Sequence, residues 1–317
     1  MSHVVLKVTP NILEKMSDYY KHAVTAKIPQ GGVFQAKPAG CTITAYKSGK
    51  ILFQGANAQQ EANKWHDNST AVSSQKKVAN KANISSSLPT NFASLSVIGS
   101  DEVGTGDYFG PITVVAAFAR KDDHAYLKEI GVQDSKNLND TQIISIAKQL
   151  IKVIPYSLLI LHNEKYNELQ QKGLSQGVMK AKLHNKALFN VLEKISPEKP
   201  DAILIDQFVQ GQTYFSHIKH EKNIVKDNVY FQTKAEGLHL SVAAASIIAR
   251  YAFVREIDKL SEKAGFTIPK GAGSQVDIAA SKLISKLGEQ ALPYYTKLHF
   301  ANTEKAKRIF NQRFRPS

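Results

Sequence analysis

Apolar positions recur in two rhythms along the chain, and the rhythm changes near residue 92. Upstream, short β-type runs over residues 4–8, 33–36, 41–46 and 51–53 are separated by the turn formers Pro38-Ala39-Gly40 and Lys47-Ser48-Gly49-Lys50. Ile12, Met16, Tyr19 and Ala23 share one face of a predicted helix over 12–23, and residues 58–65 predict a second helix. The spacing predicts a small α+β module over residues 1–66. Downstream, predicted strands over 95–99, 111–119, 156–161, 202–206 and 229–232 alternate with predicted helices over 141–154, 178–195 and about 240–260. Pro197 and Pro200 close the second of these helices. Alternation of this kind predicts an α/β layer fold around a central sheet over residues 92–317. Residues 67–91, with six Ser, four Asn and no aromatic residue, bury too little to offset their ordering entropy, and predict a linker.

Composition narrows the class. At 317 residues, 43% hydrophobic and 21% charged, the chain fits a globular protein of two domains. The longest apolar runs, 112–119 and 241–249, are too short to cross a membrane, and no secretory leader is visible. A single cysteine, Cys41, excludes an internal disulfide and a multi-cysteine zinc site, so a reducing cytoplasm is expected. The net charge of +14 favours a polyanionic partner. Residues 1–91 hold eleven Lys, no Arg and four acids, which is +7, half of that charge on less than a third of the chain. Lys37, Lys47 and Lys50 are interleaved with Phe34, Tyr46 and Phe53, a mixture suited to a face that binds a polyanion, nucleic acid or an anionic membrane surface. At least half of those aromatics are expected to serve the module's own core.

The densest chemistry lies in residues 94–111. An apolar strand ends in Asp101-Glu102, a turn with Gly104-Thr105-Gly106 follows, and a second apolar run begins at Pro111. Adjacent acids at a strand end repel one another unless a cation offsets them, and a divalent metal is the economical explanation. A dinucleotide loop fits poorly, because Phe109 stands where a third glycine is needed and a strand follows instead of a helix. Asp206 closes the short run 202–206, and Glu236 stands at the entry of the helix containing Ala243-Ala244-Ala245-Ser246. Four carboxylates so disposed suit a hard-cation site, although each taken singly is more often a surface acid or a cap.

The motif SDEVGTGDYFGP, with DSKNL at 134–138, ILID at 203–206 and KAEGLHLSVAAASIIAR at 234–250, resembles bacterial ribonuclease HIII, of the type 2 ribonucleases H. The motifs run in family order. Thr105 between the two glycines, where ribonuclease HII resembles arginine, and Glu236, where it usually has aspartate, separate the two types. The resemblance implies a ribonuclease H-like mixed sheet flanked by helices, with a TATA-binding-protein-like N-terminal domain that grips substrate. It implies endonucleolytic cleavage of the RNA strand of an RNA–DNA hybrid, leaving a 5′-phosphate and a 3′-hydroxyl. Asp101, Glu102, Asp206 and Glu236 would be both catalytic residues and metal ligands, for Mg²⁺ with Mn²⁺ as substitute. One metal would activate water and a second stabilise the departing 3′-oxygen.

By the same resemblance Gly104, Thr105 and Gly106 would touch ribose 2′-hydroxyls, and Lys136 would hold a phosphate near the cut. His184 is expected to pack rather than to catalyse, and His239 likewise, with a supporting role suggested only by its closeness to Glu236. Cys41 is expected to be structural. The chain is expected to act as a monomer. The alternatives are a ribonuclease HII-like enzyme incising at single ribonucleotides and a non-catalytic nucleic-acid-binding protein; the second leaves the four acids unexplained.

Overall fold

Strand alternation builds the N-terminal unit, which falls within residues 1–80. The structure, a computed structural model, describes residues 3–26, 28–29, 32–47, 49–65 and 88–314. In this unit β1 (His3–Lys7), α1 (Pro10–Tyr19), β2 (Gly32–Ala36), β3 (Thr42–Tyr46), β4 (Lys50–Gln54) and α2 (Ala58–Asn63) follow in order. The sheet is antiparallel throughout, in the order β1-β4-β3-β2. Period-2 alternation turns Phe34, Ala36, Ile43, Ala45, Ile51 and Phe53 into one core with Met16, Tyr20, Ala58, Ala62 and Trp65. Phe34 and Phe53 are therefore core residues, and only Tyr46 of the three interleaved aromatics lies on the other face. There Lys7 pairs in register with Lys50. The predicted helix over 12–23 begins earlier, at Pro10, whose fixed φ suits the first turn, and ends at Tyr19; a 3₁₀ turn covers Lys21–Ala23.

Residues 66–87, and with them most of the predicted linker, lie outside the described residues. The second unit, within residues 81–317, is described from Leu88, which packs against Phe92, Val97, Leu204 and Val242. Its packing thus starts four residues before the expected boundary at Phe92.

The elements of this unit are β5 (Val97–Val103), β6 (Ile112–Ala119), α3 (His124–Glu129), α4 (Asp140–Val153), β7 (Tyr156–Leu161), α5 (Asn163–Gln171) and α6 (Gln176–Ile195). They continue with β8 (Ala202–Asp206), α7 (Gly211–Ile218), β9 (Val229–Gln232), α8 (Leu240–Ala264), α9 (Ser274–Leu287), α10 (Leu292–Tyr295) and α11 (Asn302–Phe314). The sheet order is β7-β6-β5-β8-β9; β5, β8 and β9 are parallel, and β6 runs antiparallel to β5 and β7. Every residue of β6 is buried, because its alternate side chains feed cores on both faces. Val114, Ala116 and Phe118 pack with Leu188 and Val191 of α6, whereas Val115, Ala117 and Ala119 pack with α4 and the alanines of α8.

One close approach sets the site. A Cβ on Gly99 would lie 2.3 Å from the Val242 backbone nitrogen, so only glycine lets the start of α8 rest on β5. The sequence pattern did not reveal α3, α5, α7 or α9–α11. The last three build a third core with Tyr108, Phe109 and Phe253 behind the glycine turn.

Candidate active site

Parallel register brings the acids together. Ser100 of β5 aligns with Ile205 of β8, so the next residues, Asp101 and Asp206, stand side by side at the same sheet edge. The strand β5 runs on to Val103, one residue beyond the predicted Asp101-Glu102 end. Glu236 reaches the same edge from a single 3₁₀ turn, Ala235–Gly237, between β9 and α8.

Each carboxylate is held differently. Asp101, 6% exposed, accepts from the Glu102 backbone N–H at 2.7 Å. Its carboxyl is pushed well above the usual range, by burial first and then by the negative charges of Glu102, Asp206 and Glu236, against a hydrogen bond from Ser246. Asp206 accepts from the Ala235 N–H at 2.8 Å, and burial with the neighbouring acids raises it as well. Glu236, 7% exposed, takes the Ser135 N–H at 2.8 Å on one oxygen and the Lys136 Nζ at 2.6 Å on the other. Burial works to raise it, but Lys136 and Ser135 outweigh burial and hold it down. Ser135 and Ser246 are themselves 3.0 Å apart, which links the supports of Glu236 and Asp101.

Glu102 is the most tightly gripped. The Lys180 Nζ donates to Oε1 at 2.7 Å, and the His184 Nε2 lies 2.9 Å from Oε2. Burial opposes ionisation here too, yet His184 and Lys180 prevail and bring the carboxyl to about 2. Lys180 and His184 are one turn apart on α6, on the stripe that continues through Leu188, Val191 and Ile195. Sequence reasoning passed over Lys180 and took His184 only as a packing residue. The available signal was that two polar residues begin an otherwise apolar helical stripe. His239 instead caps α8, accepting from the Ser241 N–H at 3.1 Å, with burial lowering it to about 4.

The donor set tests well against a hard divalent ion: all oxygen, gathered at one edge, and electrostatically strained by mutual proximity. Among the described residues, no three His, Cys, Asp or Glu side chains are already arranged around a single ion. Glu102 and Glu236 are instead drawn to Lys180 and Lys136.

The turn beside the acids is rigid. Gly104 has φ 96°, and a Cβ there would lie 2.2 Å from the Pro111 carbonyl. Gly106 is exposed, with nothing within 4 Å of an added Cβ. The Thr105 carbonyl accepts from Gln176 Nε2 at 3.2 Å, while its buried hydroxyl has no partner, so any contact with a ligand is left to the backbone. Lys297, fully buried, donates to the carbonyls of Asp107 at 2.7 Å and Gly110 at 2.6 Å, and Asn163 also donates to Gly110. These braces lie outside the motifs and were not foreseen. Lys136 is placed on the site's rim with its side chain 72% exposed. Lys37, Lys47 and Lys50 are exposed in the N-terminal unit.

The family model for ribonuclease HII matches residues 98–303, and a model described as a domain of unknown function (DUF3378) matches residues 3–78. The "Ribonuclease HIII" of Bacillus licheniformis is 59% identical over 315 residues, 99% of this chain and 100% of that protein. Bst-RNase HIII in complex with Mn²⁺ matches with a TM-score of 0.69 at 42% identity, covering 98% of this chain and all of the other. The ribonuclease H2 of Pyrococcus horikoshii OT3 gives 0.57 at 26% identity, over 69% of this chain and 100% of that one.

Proposed function

The chain belongs to the ribonuclease HIII family, and from that premise we propose that Asp101, Glu102, Asp206 and Glu236 hold its catalytic metal. It is a metal-dependent endoribonuclease acting on the RNA strand of RNA–DNA hybrids. The observation that carries the site assignment is the convergence of carboxylates from two parallel strands and the turn before α8 on one sheet edge. A divalent ion bound there supplies an acidified water and positive charge against the scissile phosphate. We take Mg²⁺ as the resident ion and Mn²⁺ as its substitute, because both accept an all-oxygen donor set.

The chain's own groups account for binding and orientation. The Ala235 N–H orients Asp206, and the Ser135 N–H orients Glu236. Lys136, already on the Glu236 carboxylate and largely exposed, serves as a point charge for a phosphate beside the cut. The main chain of Gly104-Thr105-Gly106 meets the 2′-hydroxyls, which distinguish RNA from DNA. Lys37, Lys47 and Lys50 add phosphate contacts from the N-terminal substrate-binding domain, residues 1–66, joined by the polar segment 67–91 to the catalytic domain. Cleavage leaves a 5′-phosphate and a 3′-hydroxyl, and the chain acts as a monomer in the cytoplasm. Among the described residues no helix is long and apolar enough to cross a membrane.

The test is Asp206→Asn. Cleavage of a labelled hybrid with Mg²⁺ should vanish while hybrid binding persists; near wild-type cutting would refute the site.

A further inference from the structure

Both oxygens of Glu102 are occupied by nitrogen donors from α6, a feature shared by neither Asp101 nor Asp206. Lys180 is nearly enclosed, its side chain 9% exposed, between Glu102 Oε1 and the face of Phe208, whose ring centroid is 4.3 Å from Nζ. The same ring stacks on His184 at 5.0 Å with an interplanar angle of 26°. Phe208 lies two residues beyond Asp206, so the end of β8 and the segment just after it deliver one acid and the aromatic wall that confines the clamp on another.

The hydrogen-bond inventory fixes how His184 acts. Its Nδ1 is 2.6 Å from Ser100 Oγ, which is also 3.0 Å from the Val115 carbonyl. The serine has one proton to give. An ionised carboxylate only accepts, so opposite Glu102 Oε2 the Nε2 serves as the donor, with Nδ1 facing the Ser100 hydroxyl. Glu102 therefore faces one fixed donor and one ammonium, in a pocket from which water is largely excluded.

We propose that Lys180 and His184 are positioning residues that compete with the metal for Glu102, Lys180 acting as a built-in counter-cation that weakens and tunes metal affinity. An ordinary structural ion pair would support the site, and losing its lysine would weaken metal binding. A competing cation acts in the opposite sense: its removal leaves the carboxylates more negative and binding tighter. A unit charge one side chain away in a half-buried site shifts affinity by about tenfold. His184, which supplies direction, should affect turnover more than affinity.

Because this rests on the metal site proposed above, the experiment separates the two. Titration calorimetry of the full chain with MnCl₂, without nucleic acid, is run on wild type, Asp206→Asn, Lys180→Met, Lys180→Arg and His184→Gln, with Tm measured for each. Expected are loss of binding in Asp206→Asn, about tenfold tighter binding in Lys180→Met, and affinity within about twofold of wild type in Lys180→Arg. Lys180→Met should also cut hybrid more slowly at saturating Mn²⁺, because Glu102 has lost its orientation. If Lys180→Met does not fold, Lys180→Gln, which keeps a donor and removes only the charge, is read in the same way. Unchanged or weaker Mn²⁺ binding in the neutral variant, with binding lost in Asp206→Asn, overturns the competing role alone. Wild-type Mn²⁺ binding in Asp206→Asn overturns the site itself.

Discussion

The acidic edge of the catalytic sheet and the open face of the N-terminal sheet handle charge in opposite ways. At the edge, Asp101 and Glu236 are 6% and 7% exposed, and every carboxylate has a named donor. On the N-terminal unit, Lys37, Lys47 and Lys50 are exposed and carry no resolved ion pair among the described residues. Reaction chemistry needs a few groups fixed before substrate arrives, and their repulsion is confined by burial and hydrogen bonds. Gripping a polyanion needs the reverse, solvated charges that exchange counterions for phosphates.

The most severe break in that comparison is at the edge. Asp206→Asn should lower cleavage by about a hundredfold to a thousandfold or more, the order expected when a preorganised charge-stabilising group is lost, and leave hybrid affinity within a few-fold. An equal fall in affinity would show that the edge also does the gripping.

A substrate series sharpens the contrast next. The Thr105 hydroxyl is buried away from the surface, so on the proposed reading recognition by this turn would depend on backbone contacts to successive 2′-hydroxyls. Duplexes with four or more consecutive ribonucleotides should be cut at least about a hundredfold faster than those with one, each lost contact costing about 1 kcal/mol. Equal rates would return the protein to the ribonuclease HII-like alternative.

The N-terminal face should show itself in salt rather than in chemistry. Replacing Lys37, Lys47 and Lys50 together by Gln should reduce the slope of log K against log salt by about 2–3. The rate at saturating substrate should not change. A slope like that of wild type would remove these lysines from the interface.

The smallest effect concerns the rigidity behind the edge. His239 is 3% exposed and held at about 4, below the ordinary 6.5, by burial and by His124. A depressed base takes up its proton first in the unfolded chain, so its stabilisation, full above pH 6.5, is lost as pH falls toward 4. That loss is on the order of 3 kcal/mol. His239→Asn keeps a capping side chain without the titration and should flatten thermal stability between pH 6.5 and 4. A profile parallel to that of wild type would show that other groups govern the acid limb.

The elements legible from sequence were those whose environment is periodic. Strand β7 and strand β9 fall where alternation predicted them, and β8 ends on Asp206 as its apolar run implied. Helices α9 and α11 escaped because their buried faces close over Tyr108, Phe109 and one another, an environment that no local pattern announces. Phe34 and Tyr46 looked equivalent in sequence and were divided by the side of the sheet that α1 and α2 cover.

By itself the sequence determined which acids stand near strand ends or at the entry of α8, and its motifs, through a family resemblance, which family the chain belongs to. Residue type and local spacing mark adjacent acids at the end of an apolar run as a place where charge must be offset, and the motifs narrow what offsets it. Only the tertiary structure decided what holds those acids. Lys180 meets Glu102 across 78 positions and Ser135 meets Glu236 across 101. Lys297 braces the glycine turn from 187 residues away. Contacts at such separations are fixed by packing of sheet and helices, and their partners carry no mark in the local sequence.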